Sequence, residues 1–324
     1  MSTAVIAAPP QSRARTFLTR LVSGDRIAHL VTMIFAASVF LVTVLLVYEL
    51  WIRSEPSRVK FGLSFLWKQI WDPVTGQFGA WPFIYGTVIT SVLALLIAVP
   101  LGVGAAIFLA ELAPPRLSNA CTFLVELLAA VPSVIYGLLA LFMLVPLLRS
   151  PVEPFLKKTL GFLPWFQGPA YGVGYLAAAL ILAIMTFPFI ISISRESLLA
   201  VPREQREAAL ALGATQWEST WKVVVPHARL GIIGSIFLAL ARALGETMAV
   251  TMVIGNNTSL HASLLAPGYT IAAIIANEFT EATDNLHLSS LVELGLVLFA
   301  LTMILNALAQ LLILATTGKG SKQD

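Results

Sequence analysis

Apolar residues in this chain fall in long runs, with no sustained strand-like alternation. Six runs reach the roughly 20 residues that cross a bilayer as a helix: Ile27 to Trp51, Phe83 to Leu112, Asn119 to Leu148, Tyr171 to Ser194, Leu230 to Ile254 and Ser289 to Thr316. The pattern predicts an all-α membrane protein, a bundle of six transmembrane helices. It divides the chain into a tail with an interfacial helix (1–26), a first span with its outer loop (27–82), a five-span domain (83–316) and a short tail (317–324). Within the first tail, Phe17, Leu18, Leu21 and Val22 recur at helical spacing among Arg13, Arg15 and Arg20, a pattern suited to a helix lying in the membrane interface. The run that follows is longer than the core of a signal peptide and has no small-residue cleavage site after it, so it is read as a retained span.

The polar stretch between the fourth and fifth runs, residues 195–229, is itself patterned. Pro202 suits the first position of a helix, where its missing N–H costs nothing. Glu204 and Glu207 lie near that start, where the helix dipole favours acids. Gly213 suits a left-handed stop. Thr215-Gln216-Trp217-Glu218 then reads as a capping box opening a second helix, with Trp217, Trp221 and Val224 on one face and Pro226 as its end.

Composition agrees with the runs. Of 324 residues, 58% are hydrophobic and 11% charged, against about 25% charged in soluble domains, and the mean hydropathy is +0.86. The net charge of +3 gives no broad basic surface for nucleic acid, and the single cysteine, Cys121, allows no internal disulfide. With the N-terminus inside, twelve Lys and Arg residues fall in inner segments and seven in outer ones. The positive-inside rule therefore places both termini in the cytoplasm. The last outer loop, 255–288, has no Lys or Arg and carries Glu278, Glu281 and Asp284.

Ionisable residues inside spans are candidate functional groups, because burial in hydrocarbon is costly. Arg242 falls near the middle of the fifth run, and Glu246 is one helical turn later on the same face. The two form either a self-neutralising i,i+4 pair that steadies the helix or an oxyanion site, in which the guanidinium offers two parallel donors and Glu246 holds it or accepts a proton from a protonated anion. Glu126 lies inside the third run with Pro132 after it. A break there leaves backbone groups free, tolerable where they line a cavity or pack on protein, so Glu126 either faces a pathway or bonds a neighbouring helix. Glu49, Glu111 and Glu293 lie near span ends and are expected to be solvated or to snorkel.

Glu207-Ala208-Ala209, three residues, Gly213, nine residues, then Val223-Val224-Val225-Pro226 resembles the EAA motif of binding-protein-dependent ABC importer permeases. Valine stands at the Ile and Leu places of the motif. The resemblance implies a type I ABC importer permease fold, with 202–226 as coupling helices that dock on a separate ATPase through Glu207, Ala208, Ala209, Gly213 and Pro226. This chain has no Gly-x-x-x-x-Gly-Lys-Ser/Thr phosphate loop, so it is expected to bind no cofactor and to hydrolyse no ATP; ATP and Mg²⁺ belong to the partner ATPase.

Ala241 to Asn256, Glu126 to Gly137 and Ala266 to Ala272 sharpen the resemblance. They look like the phosphate-specific (Pst) importers, and more like the PstC-type permease than the PstA-type one. The likeness covers roughly residues 80–316. It implies a PstA-type second permease, two PstB-type ATPases, a PstS-type phosphate-binding protein, and passage of phosphate past Arg242 and Glu246, in the bacterial cytoplasmic membrane. A sulfate or molybdate permease would share the inner-loop motif and differ in the fifth span. A secondary carrier could use Arg242 and Glu246 but has no need of the EAA segment. An intramembrane enzyme would want clustered catalytic groups, whereas His29, His227, His261 and His287 are scattered.

Overall fold

The computed structural model describes residues 25–317; the expected interfacial helix and the last residues of the C-terminal tail lie outside them. Among the described residues, six helices are long and apolar enough to cross a membrane. The first, α1 (Asp25–Arg53), belongs to a unit that ends at Ile52. It is apolar on all sides, with Leu30, Phe35, Phe40 and Leu46 exposed, as expected for a helix whose solvent is lipid.

The second unit begins at Arg53. After a short helix α2 (Glu55–Phe61) come α3 (Trp81–Leu112), α4 (Pro115–Ala130), α5 (Ser133–Leu160), α6 (Tyr175–Leu199), α7 (Arg203–Ala211), α8 (Gln216–Gly245), α9 (Met248–Val253), α10 (Ile271–Glu278) and α11 (Asn285–Thr317). Among the described residues the only β-type pairings are two isolated bridges, Asp72 with Gln77 and Gly255 with Gly268.

The unit is organised around α6. Of its most apolar stretch 61% is buried, against 33% for α3 and 28% for α8. Buried Ala177, Ala178, Ala179 and Ala183 let neighbouring backbones approach, the usual means of helix association where hydrophobicity gives no drive. Gly102 of α3 sits so close to Ile190 that a Cβ would lie 2.8 Å from its side chain. The buried Ser194 and Ser235 hydroxyls hydrogen-bond at 2.8 Å between α6 and α8, a contact worth on the order of 0.6 kcal/mol in a membrane. Pro100 and Pro188 lie inside α3 and α6, which run on through them.

At one end, the segment after α2 folds back on α3, α10 and α11. Phe65, Phe78 and Phe83 are fully buried there. Trp71 Nε1 donates to Glu278 Oε2 at 2.8 Å, and His287 Nε2 lies 2.9 Å from the same oxygen. Glu278, the last residue of α10, thus serves as a cross-link. The Asp72 carboxylate closes a tight turn on the Thr75 hydroxyl and the Val74 N–H, which together hold it below its ordinary value.

The break considered after Glu126 falls at Val131-Pro132, where the third run divides into α4 and α5, because proline has no N–H to give the ladder. Two other sequence expectations are corrected. The fifth run also is broken: α8 ends at Gly245, and α9 starts at Met248. Finally, two of the acids expected to be solvated or to snorkel do neither. The Glu293 side chain is buried and hydrogen-bonded by Ser57, while Oε2 has no hydrogen-bond partner. Glu111 is in an ion pair.

Candidate translocation and coupling sites

The two breaks lie side by side. Helices α5 and α9, each beginning just after a break, pack together at Gly137. A Cβ there would lie 2.5 Å from Met252 Sδ and 3.0 Å from the Ala249 Cα, so only glycine permits this approach. Across the first break, the Tyr136 hydroxyl reaches back and donates to the Leu128 carbonyl at 2.7 Å, serving an end of α4 that the missing turn leaves open. Across the second, Thr247 Oγ1 donates to the Gly245 carbonyl at 3.2 Å.

The second break also repositions the two charges. Arg242 stands in the last turn of α8. Glu246 has left the helix, with extended backbone (φ −69°, ψ 126°), and its Oε1 accepts the Ala249 N–H of α9 at 3.4 Å. The expected i,i+4 ion pair is absent: among the described residues no carboxylate lies within ion-pair distance of Arg242. Each charge instead answers a helix terminus of opposite polarity, the cation at a C-terminus and the anion at an N-terminus. Arg242 is exposed on this chain and Glu246 is half-buried. The guanidinium lies over the Phe189 ring of α6, with Cζ 4.2 Å from the centroid.

Glu126, near the end of α4, is exposed and makes no hydrogen bond or ion pair with Arg242 or Glu246. The structure therefore brings Arg242 and Glu246 to one break and leaves Glu126 on the helix before the other. A face that carries an unpaired arginine at membrane depth suits a water-filled passage or a protein partner far better than lipid.

The EAA segment is the second site. Helix α7 starts after Pro202, which occupies the capping position one residue before the helix proper. Gly213 adopts φ +88°, and the Ala214 N–H closes back on the Ala209 carbonyl at 3.1 Å. Such a left-handed closure favours glycine. The capping box is present in full: Glu218 N–H donates to Thr215 Oγ1 at 3.2 Å, and Thr215 N–H to Glu218 Oε2 at 3.0 Å.

Pro226 does not end the second helix. The helix runs from Gln216 through a wide turn at Thr220–Val224 into the span, with Pro226 at the start of the following α-helical section. The i→i+5 spacing of that turn absorbs the ladder bond that proline cannot make. The segment therefore holds one free-standing short helix, α7, and the extension of a span.

Its outward surface carries large apolar side chains among charged ones. Leu210, Leu212, Trp217 and Trp221 are 47%, 90%, 56% and 46% exposed, and Glu207 and Ala208 are exposed beside them. Its inward surface is bolted to α3. Arg206 donates to both Glu111 oxygens at 3.2 and 2.8 Å and to the Leu198 carbonyl at 2.7 Å, and Gln216 Nε2 donates to the Glu111 carbonyl at 2.8 Å.

Sequence reasoning missed Arg206, Glu111, Gln216, Tyr136 and Phe189. Only Arg206, directly before Glu207, carried a positional hint. The others depend on partners distant in sequence or on the shape of a break.

Residues 98–316 match the model of the family described as binding-protein-dependent transport system inner membrane component. The chain belongs to this family. The phosphate transport system permease protein PstC of Mesorhizobium japonicum is 49% identical to it over 91% of both chains. That of Haemophilus influenzae is 48% identical, covering 87% of this chain and 90% of its own. Among solved structures, a bacterial alginate ABC transporter in complex with its pentasaccharide-bound periplasmic protein superposes with a TM-score of 0.56 at 15% identity, covering 89% of this chain and 94% of that one. At that identity the likeness concerns the fold, that of ABC importer permeases. The chain is thus a multi-pass membrane subunit of a transport system that works with a binding protein. The family match begins inside α3, so α1 and the segment up to residue 80 stand outside it.

Proposed function

We propose that this chain is the PstC-type permease of an ATP-driven phosphate importer. The observation that carries the reading is the near-half identity, over almost the whole of both chains, to proteins named as phosphate transport permeases. The chain forms half of the pathway in the bacterial cytoplasmic membrane, with both termini inside. A PstA-type permease forms the other half, a PstS-type protein delivers phosphate outside, and two PstB-type ATPases, which bind ATP and Mg²⁺, dock inside. This chain hydrolyses nothing and makes no covalent bond.

Two features of the geometry support the reading. Arg242 is exposed and, among the described residues, has no carboxylate to neutralise it, so its N–H edges are available to an oxyanion. Glu246, held at the start of α9, can accept the proton of a protonated phosphate, a proton that sulfate lacks at neutral pH. Glu126 lies on the helix that enters the neighbouring break and is the weaker member of the pathway set.

At the other site, the Glu207-Ala208-Ala209 face, with Glu207 and Ala208 exposed, and the Gly213 turn receive the ATPase. Closure of the ATPases moves α7, and the Arg206–Glu111 clasp passes that movement to α3 while the unbroken helix through Pro226 passes it to α8. The pathway thereby alternates between inward and outward openings.

The test is purification with the native partners, followed by uptake of labelled phosphate, sulfate and molybdate into vesicles. ATP-dependent accumulation of phosphate alone is expected. Preference for sulfate or molybdate would transfer the chain to the other oxyanion permeases, and accumulation driven by an ion gradient without ATP would make it a secondary carrier.

A further inference from the structure

Arg242 combines a permanent charge, an exposed side chain and, among the described residues, no anionic partner. A flexible side chain with nothing to hold it would sample many rotamers and present its donors poorly. The group that does touch it is aromatic: its Cζ stands 4.2 Å from the centre of the Phe189 ring. That distance is well inside the range over which a guanidinium is attracted to a ring face.

Phe189 projects from α6, the most buried span, in a stretch where Pro188 and Ile190 are buried. The residue is half-buried, and its ring is the aromatic surface on which the cation lies.

A guanidinium lying on a ring engages through its planar face, and its N–H groups, which lie in the plane, stay free. A carboxylate partner would consume two of those donors and offset the charge. An aromatic partner does neither. The platform thus keeps both the charge and the parallel N–H pair available for two oxygens of a tetrahedral oxyanion.

We propose that Phe189 is a positioning residue for the transported anion, acting through Arg242. The proposal rests on the phosphate-pathway reading of Arg242 and adds the group that sets its orientation. It also gives Glu246 a separate place, at the start of α9, so that the cation and the proton acceptor are held independently.

The experiment compares Phe189→Leu, Phe189→Met, Phe189→Tyr and Phe189→Trp in the full complex, reading initial ATP-driven phosphate uptake beside copurification of the partner subunits. Loss of the ring face in the Leu and Met variants is expected to slow uptake about tenfold with the complex still assembled. The Tyr and Trp variants, which restore a face, are expected to keep at least about half of the rate. A packing role alone would be served by Leu or Met and disturbed most by Trp. Near-normal uptake with Leu or Met, or equal loss in all four assembled variants, overturns the proposal. Arg242→Gln in the same assay separates the two levels: if it transports normally the pathway reading fails, whereas a dead Arg242→Gln beside a normal Phe189→Leu removes only the role of Phe189.

Discussion

The Glu111 carboxylate, at the end of the second span, takes both of its ion-pair hydrogen bonds from Arg206, one residue before the Glu-Ala-Ala sequence. The side chains are only 8% and 19% exposed. A bidentate pair so shielded is rigid as well as attractive, and it joins a docking helix to a span that the docking helix does not continue into. Breaking it by Glu111→Ala leaves Arg206 buried without its counter-ion. The expected loss is about 3 kcal/mol, the low end for such a truncation because Arg206 also bonds the Leu198 carbonyl. Thermal unfolding of the purified complex reads the loss, and ATP consumed per phosphate imported should rise. An unchanged ratio would remove the clasp from the coupling path.

Gly213 has open space around its α-carbon and φ +88°. The constraint is therefore conformational within this chain, and any crowding must come from a docked partner. Gly213→Asn, which tolerates the left-handed region, should retain most association with the ATPase. Gly213→Val should distort the turn at a cost of about 1–2 kcal/mol and weaken association measured by copurification. Equal behaviour of the two variants would show that side-chain volume, not backbone conformation, matters at this turn.

Gly137 joins the two broken spans. In Gly137→Ala the new methyl meets the Ala249 backbone at 3.0 Å and the Met252 sulfur at 2.5 Å. The methionine can swing away and the backbone cannot, so the helices must part, costing about 1–3 kcal/mol. A lowered unfolding temperature and slower uptake are expected. If stability is unchanged, α5 and α9 are not held at this distance.

Much of this was legible in the chain itself, and the reasons differ from residue to residue. The six spans follow from runs of apolar residues, which lipid selects directly. The Thr215–Glu218 box and the Gly213 turn are local, set by residues within a few positions of one another. Pro226 was misread because its rule describes an ideal helix, and the wide turn at Thr220–Val224 relaxes that rule. The break after Gly245 has no proline to announce it, so Arg242 and Glu246 look like neighbours on one helix face when they serve two different helices. Glu111 and Glu293 were misplaced because burial depends on partners elsewhere in the chain. The apolar Phe189 gave no signal, since a ring facing a cation and a ring facing lipid read alike in sequence.

The loss of the Arg242–Glu246 pair changes what mutations of the two residues should do. Glu246→Gln keeps an oxygen that can accept the Ala249 N–H. Assembly should therefore stay intact, at a cost below about 1 kcal/mol, and uptake should lose its preference for protonated phosphate, falling less as pH rises than in the unaltered complex. A collapse of assembly in Glu246→Gln would instead restore the structural ion pair.

The most direct measurement is ATP-driven phosphate accumulation in vesicles carrying the complete complex with Arg242→Gln, beside the unaltered complex. The unaltered complex should accumulate phosphate, and the Arg242→Gln complex should assemble with its partners and accumulate none. Accumulation at the unaltered rate by an assembled Arg242→Gln complex would contradict the account.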